Sequence, residues 1–319
     1  MLDKKTDLAG PGISTYEKVD QILPENYASL LDRKRTQRAI YDVKEYIEKG
    51  LAEELNLMLV QVPLIVEAAS GMNDMLDRDG SRTPVEFDCG LGLELPIRAS
   101  IVQAATKWKR WALRQFECDV GEGINTDMRA VRKDYFLDHD HSAYVDQWDW
   151  EQVITLEQRN LDYLFDVVRK IWKVIVGAER MVVARYPELD DPRFPMLPEE
   201  LHFIHAEEIL ARYPDLPRKE RETKIVEEFG AVFICGIGWV LEDGYPHEMR
   251  AADYDDWVTE TTSAEGRPMH GLNGDILVWN PVTRRRHELS SMGVRVTAET
   301  LRQQLQLSDQ LDLLETPYH

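Results

Sequence analysis

The 319-residue chain predicts an α+β fold, with antiparallel hairpins laid beside long amphipathic helices. Three stretches carry this. His270 to Val296 reads HGLNGDILVWNPVTRRRHELSSMGVRV: Gly274 and Asp275 open a short apolar run, Ile276 to Trp279, and Asn280-Pro281 closes it like a turn. After a basic turn, Glu288 to Val296 returns as a second strand. Asp119 to Glu151 gives a second hairpin, with Met128 and Val131 on one strand and Ala143 to Trp150 on the other. Finally, Leu161, Leu164, Phe165, Val168, Ile171, Ile175, Ala178 and Val182 recur at helical spacing, the apolar stripe of a long core helix.

In chain order, residues 1 to about 30 are polar and broken by Pro11, Gly12 and Pro24, so they read as a surface extension ahead of 31–319, a length that suits one large domain or two small ones. Ile40, Val43, Ile47 and Leu51 predict a long helix from Thr36 to Leu55. Leu57 to Val66 follows as a strand. Pro63 lacks the N–H that a central strand donates, which puts this strand at an edge or an interface. A turn-rich segment around Asp74 leads to a strand near Val85 to Phe87, and Ile101 to Arg110 passes from a β-type run into a helix bearing Lys107, Lys109 and Arg110. Those basic side chains leave a helix in different directions, so one of them is expected to face a pocket. Glu200 to Tyr213 starts as a strand and becomes helical, and its His202 and His205 read as packed residues. Gly230 to Val240 is the most strand-like run in the chain.

Two patterns point to chemistry. An antiparallel pairing in the first hairpin brings Asp275 and Glu288 towards the same end of one sheet face. Two carboxylates there either lie in water on a surface hairpin or need a cation, for which Mg²⁺ is the simplest. In the second hairpin Val145, Gln147, Asp149 and Glu151 share a face polar enough for a substrate surface, and equally for a solvated strand. The run Asp138 to His141 (DHDH) has weak metal-ligand spacing, because adjacent loop residues seldom converge on one ion.

Composition narrows the classes. A hydrophobic content of 43% supports a sizeable core. A formal net charge of -20 argues against nucleic acid as a partner, since phosphate neutralisation needs a basic footprint. Three separated cysteines, Cys89, Cys118 and Cys235, make neither a disulfide framework nor a zinc site and suit a reducing, cytoplasmic setting. No apolar run approaches the roughly 20 residues of a membrane span.

The strings KWKR (Lys107 to Arg110), YVDQWDWE (Tyr144 to Glu151), RAADYDDW (Arg250 to Trp257), GLNGDILVWNP (Gly271 to Pro281) and ELSSMGVRV (Glu288 to Val296), in this order, strongly resemble ammonia-dependent asparagine synthetase, the aspartate-ammonia ligase family. The likeness covers about residues 30 to 319. It implies a fold like that of class II aminoacyl-tRNA synthetases, an antiparallel sheet flanked by helices, and a homodimer built through the helix and the Pro63 strand. It also implies a reaction in which the side-chain carboxylate of L-aspartate attacks the α-phosphorus of MgATP, giving β-aspartyl-AMP and pyrophosphate, after which ammonia displaces AMP. Carried over residue by residue, the resemblance gives catalytic roles to Arg132, Lys109 and Asp255. Asp74, Lys109, Gln147, Asp149 and Asp255 fall at amino-acid-binding positions. Arg132, Arg250, Ser290 and Arg295 fall at nucleotide-binding positions, and Asp275 and Glu288 at the Mg²⁺ site.

Two departures from the family pattern stand out. Gln103-Ala104 occupies the place of a His-Ser pair, so a substrate hydroxyl contact is expected to be absent. The chain also ends at His319 without the glycine-rich third motif, which reads as a truncated sequence. The alternative function is a catalytically inactive paralogue that binds an amino acid or adenylate.

Overall fold

Helix α1 (Arg33–Leu55) begins where Asp32 accepts the Arg35 N–H at 2.8 Å. It ends at Asn56, whose left-handed backbone Asn tolerates better than most side chains. Ile47, Leu51 and Leu55 form its buried stripe. The computed structural model describes residues 28–315 apart from 75, 77–81, 91, 93, 134–140 and 264–265. The N-terminal extension as far as residue 27, and Asp138 to Asp140, therefore lie outside the described residues.

The single strand expected over Leu57 to Val66 is two, β1 (Leu57–Val60) and β2 (Ile65–Glu67). Pro63 sits in the break, where its missing N–H costs no ladder bond. The two halves join different sheets. β1 runs parallel to β5 (Gly123–Val131), which pairs antiparallel with β6 (Tyr144–Gln152), in the order β1-β5-β6. β2 pairs with β4 (Ile97–Ile101), which also holds β3 (Val85–Cys89). The proline segment thus leaves β1 at an edge, as expected. Helix α2 (Thr106–Gln115) follows β4 and packs on β5 and β6.

The third sheet has the order β12-β11-β8-β7, from β7 (His202–His205), β8 (Ala231–Cys235), β11 (Asn273–Asn280) and β12 (Arg285–Gly293). β9 (Glu260–Thr262) and β10 (Pro268–His270) form a separate two-stranded ribbon. Both faces of the four-stranded sheet are covered. On one, α3 (Leu161–Arg185) and α1 bury Leu164, Val168, Ile171 and Trp172 against Phe233 and Ile276. On the other, α4 (Ala206–Arg212) and α5 (Arg218–Phe229) pack Ile209, Ile225 and Val226 on Val232, Ile234 and Leu277. The sheets are mainly antiparallel, as expected, but β1 with β5 and β7 with β8 are parallel pairs.

Helix α5 and the late helix α6 (Ala298–Leu307) lie outside the elements expected from periodicity. α6 starts in a capping box between Thr297 and Thr300. Its buried Gln304 accepts the Trp257 N–H at 2.8 Å and donates to the Ala252 and Asp255 carbonyls at 3.0 and 2.9 Å. One amide side chain thereby fixes the backbone that carries Asp255. Among the described residues no helix is long and apolar enough to cross a membrane.

Candidate active site

Lys109 is buried in the protein interior, with a side chain wholly shielded from solvent. Lys107 and Arg110, its neighbours on α2, reach more open surroundings, so one basic residue of the three turns inward, as expected. Its ammonium pairs with Asp149, donates to the Trp150 carbonyl at 3.3 Å and lies 3.7 Å from Glu151. Burial alone would discharge it, but the Asp149 and Glu151 carboxylates raise its pKa well above the ordinary lysine value.

Arg295, just past β12, completes this cluster from a different sheet. Its guanidinium pairs with Asp255, grips Glu151 at 2.9 and 3.0 Å, donates to the Tyr254 hydroxyl at 2.9 Å and stacks 3.7 Å from the Tyr254 ring centroid. Gly293 allows the approach, because a Cβ there would fall 2.9 Å from Cγ of Asp255. Tyr254 also accepts the Thr106 hydroxyl at 2.7 Å, and burial pushes its phenol up to about 12. The Thr106 N–H donates to Asp74 at 2.6 Å, so Asp74 sits at the start of α2, beside Lys109. Burial pushes the Asp74 carboxyl upward despite that bond. Arg132, at the end of β5, donates its Nε–H to the Gln103 carbonyl at 3.2 Å, and the Gln103 N–H donates to Asn73 next to Asp74.

A second group adjoins the first. Arg250 pairs with Asp275 and donates to the Ser291 hydroxyl at 2.7 Å. Burial would lower its pKa, but the Asp275, Asp255 and Glu248 charges raise it. Glu288 lies opposite Leu277, on the face that also carries Asp275. Burial, Asp275 and Glu248 push the Glu288 carboxyl up to about 7, and burial pushes Asp275 up despite Arg250.

The model of the aspartate-ammonia ligase family matches residues 34–319. The aspartate–ammonia ligase of Clostridium perfringens is 44% identical over 297 residues, covering 93% of this chain and 82% of its own. That of Bacteroides fragilis is 44% identical over 299 residues, covering 93% and 83%. The chain belongs to the aspartate–ammonia ligase family.

Among solved structures, this ligase-family chain resembles Entamoeba histolytica asparaginyl-tRNA synthetase in complex with asparaginyl-adenylate (TM-score 0.56, 12% identity, 92% of this chain and 62% of that one). It also resembles Pyrococcus horikoshii asparaginyl-tRNA synthetase complexed with asparaginyl-adenylate (TM-score 0.55, 16% identity, 88% and 61%). At these identities the likeness shows the class II synthetase fold alone.

The fold brings Asp74, Lys109, Arg132, Asp149, Asp255 and Arg295 into one connected set, with Arg250, Asp275 and Glu288 beside it. Gln147 is exposed on the same strand face as Asp149. Ser290 stands apart from this set. It pairs with Ile276, whose side chain enters the core on the opposite face, whereas Ser291 pairs with Asp275 and meets Arg250. An irregularity in the ladder between Ile276 and Leu277 leaves Leu289 as the extra residue.

Glu151, expected on the polar face of β6 with Asp149, and Tyr254 also belong to this network. Tyr254 carries no such signal, because its partners Thr106 and Arg295 come from distant elements.

The donor set fits a hard divalent cation. Asp275 and Glu288 share a face and bind protons more readily than ordinary carboxylates, a penalty that a cation would relieve. Among the described residues no three His, Cys, Asp or Glu side chains form a metal cage. Two carboxylates completed by phosphate oxygens are the usual arrangement for Mg²⁺.

Proposed function

We propose that the chain catalyses the ATP-dependent amidation of L-aspartate by ammonia to L-asparagine, through β-aspartyl-AMP. A β-carboxylate oxygen attacks the α-phosphorus, and the bond to the bridging oxygen of pyrophosphate breaks. Ammonia then adds to the acyl carbon, the C–O bond to AMP breaks, and a proton leaves the nitrogen to give the amide.

The observation that carries this reading is the connected network of fixed, opposite charges that joins Lys109, Asp149, Glu151, Arg295 and Asp255. Lys109 sets the position of Asp149 and Arg295 that of Asp255, and the Thr106 N–H holds Asp74, so these three carboxylates suit the aspartate ammonium. Arg132, at the rim of this set, would hold the reacting carboxylate and the α-phosphate together, where a fixed guanidinium offsets the charge that develops in the transition state. Arg250 and Ser291 face the nucleotide end. Mg²⁺ held by Asp275 and Glu288 would neutralise phosphate charge and assist departure of pyrophosphate.

A homodimer accompanies this reading. Met58, Leu59, Leu64 and Ile65 stay exposed along the β1–β2 segment, an apolar strip that a second copy would cover. The test of function is pyrophosphate release by the purified chain with ATP and Mg²⁺, which should require aspartate, followed by AMP and asparagine once ammonium is added. Calorimetric binding of aspartate and ATP without AMP formation would instead support an inactive paralogue.

A further inference from the structure

We infer that Glu222 is a positioning residue for the cation end of the site, drawing Arg286 towards itself so that this charge is held back from Glu288. This rests on the reading above that Asp275 and Glu288 hold a divalent cation.

Glu222 lies in the second turn of α5 and is only 3% exposed. An unpaired carboxylate there would cost several kcal/mol (roughly), and it is paired three times. His247 donates its Nε2–H to one oxygen at 2.9 Å, Arg286 approaches the other at 3.1 Å, and Arg218 lies at 3.5 Å. Burial pushes Glu222 up, but the His247 bond and the Arg218 and Arg286 charges outweigh it and hold it ionised.

What makes this more than a core ion pair is where the two guanidiniums point. Arg286 stands between Glu222 and Glu288 and is closer to Glu222, with Glu288 at 3.7 Å. Arg218 bridges from Glu222 to Glu248 at 2.6 Å, and Glu248 is near enough to raise the proton affinity of both Asp275 and Glu288. Arg218 is already committed to Glu248, whereas without the Glu222 charge Arg286 would turn to Glu288. It would compete there with the metal for the same carboxylate. His247 in turn fixes the Glu222 carboxylate plane, so the three residues form a brace behind the strand that presents Glu288.

The test is a titration of the full chain with Mn²⁺, followed by electron paramagnetic resonance, in the presence of an ATP analogue that cannot be cleaved between its α- and β-phosphorus atoms. Glu222→Gln should weaken Mn²⁺ binding by about tenfold or more, as loss of a group that orients a metal carboxylate does. The KM for aspartate should stay unchanged. In Glu222→Gln/Arg286→Gln the binding should return close to the wild-type value, a rescue that loss of packing would not show.

Wild-type Mn²⁺ affinity in a folded Glu222→Gln chain, or a double variant as weak as the single one, overturns the inference. If Glu222→Gln does not fold, Arg286→Gln alone carries the test. It should bind Mn²⁺ at least as tightly as wild type, and weaker binding refutes the proposed competition. A wild-type chain that binds Mn²⁺ but releases no pyrophosphate with aspartate overturns the ligase reading and leaves this inference standing, whereas one that does not bind Mn²⁺ overturns the inference.

Discussion

Arg295 holds Glu151 through two hydrogen bonds, 2.9 Å from Nε and 3.0 Å from Nη2, joining residues 144 apart in the chain. Glu151 closes the β6 face that bears Asp149, and Arg295 follows the β12 strand that bears Glu288. This one bidentate pair therefore ties the amino-acid end to the nucleotide end. Its loss would strand Glu151 and Asp255, both buried, without their guanidinium. Arg295→Met should destabilise the chain by about 3–5 kcal/mol, read as a lower urea midpoint at unchanged slope. An unchanged midpoint would show that the pair carries no structural load.

Arg132→Ala should lower aspartate-dependent pyrophosphate release by about 10²–10³-fold, on the scale of a lost oxyanion donor. The stability of this variant should stay near wild type, since Arg132 is only half-buried. Near-normal turnover would move the reacting carboxylate elsewhere in the site.

Ser290 and Ser291 separate the family-derived expectation from the geometry. Ser291→Ala should raise the KM for MgATP, because the Arg250 hydrogen bond at 2.7 Å is lost, while Ser290→Ala should leave that KM unchanged. The reverse result would mean that the ladder register around Leu289 is misplaced.

The difference between those two serines also marks what the sequence can convey. Alternation along β6 is a local rule, so the shared face of Gln147, Asp149 and Glu151 was legible from the string YVDQWDWE. The hairpin of β11 and β12 followed from the same rule. The extra residue at Leu289, which puts Glu288 on the face of Asp275, did not, because a bulge depends on the cross-strand partner and has no mark in one strand alone. Lys109 could be placed on a helix, but not its three contacts from β6. The brace of Glu222, His247 and Arg286 was invisible for a related reason. It draws on α5, whose charged sequence RKERETKIVEEF has only a weak apolar stripe, and on two segments far away in the chain.

His205 supplies a pH-dependence with a definite sign. Its Nδ1 accepts the Glu207 N–H at 3.1 Å, capping α4, and its Nε2–H donates to the His270 carbonyl at 3.2 Å, so both ring nitrogens are satisfied in the neutral form. Burial lowers its pKa below the ordinary 6.5, despite the His270 carbonyl. A group depressed in the folded state contributes stability that is present above the unfolded value and lost as pH falls from about 6.5 through the lower folded value. Thermal melts should show this decline in wild type and a shallower one in His205→Asn, which keeps an acceptor for the cap. Equal slopes would remove His205 from the account.

Replacing Leu59 or Ile65 by Asp should turn a dimer in sedimentation velocity into a monomer, because both are apolar and exposed on the β1–β2 segment. A wild-type chain that sediments only as a monomer would rule out this interface.

In the proposed reaction the aspartate β-carboxylate becomes bonded to the α-phosphorus. Aspartate labelled with ¹⁸O in its β-carboxylate, turned over with ATP, Mg²⁺ and ammonium, tests it by mass spectrometry of the phosphorus-containing products. The account predicts one ¹⁸O atom in AMP and none in pyrophosphate. Label in inorganic phosphate would mean that attack occurs at the terminal phosphorus, and unlabelled AMP formed together with asparagine would contradict an acyl-adenylate altogether.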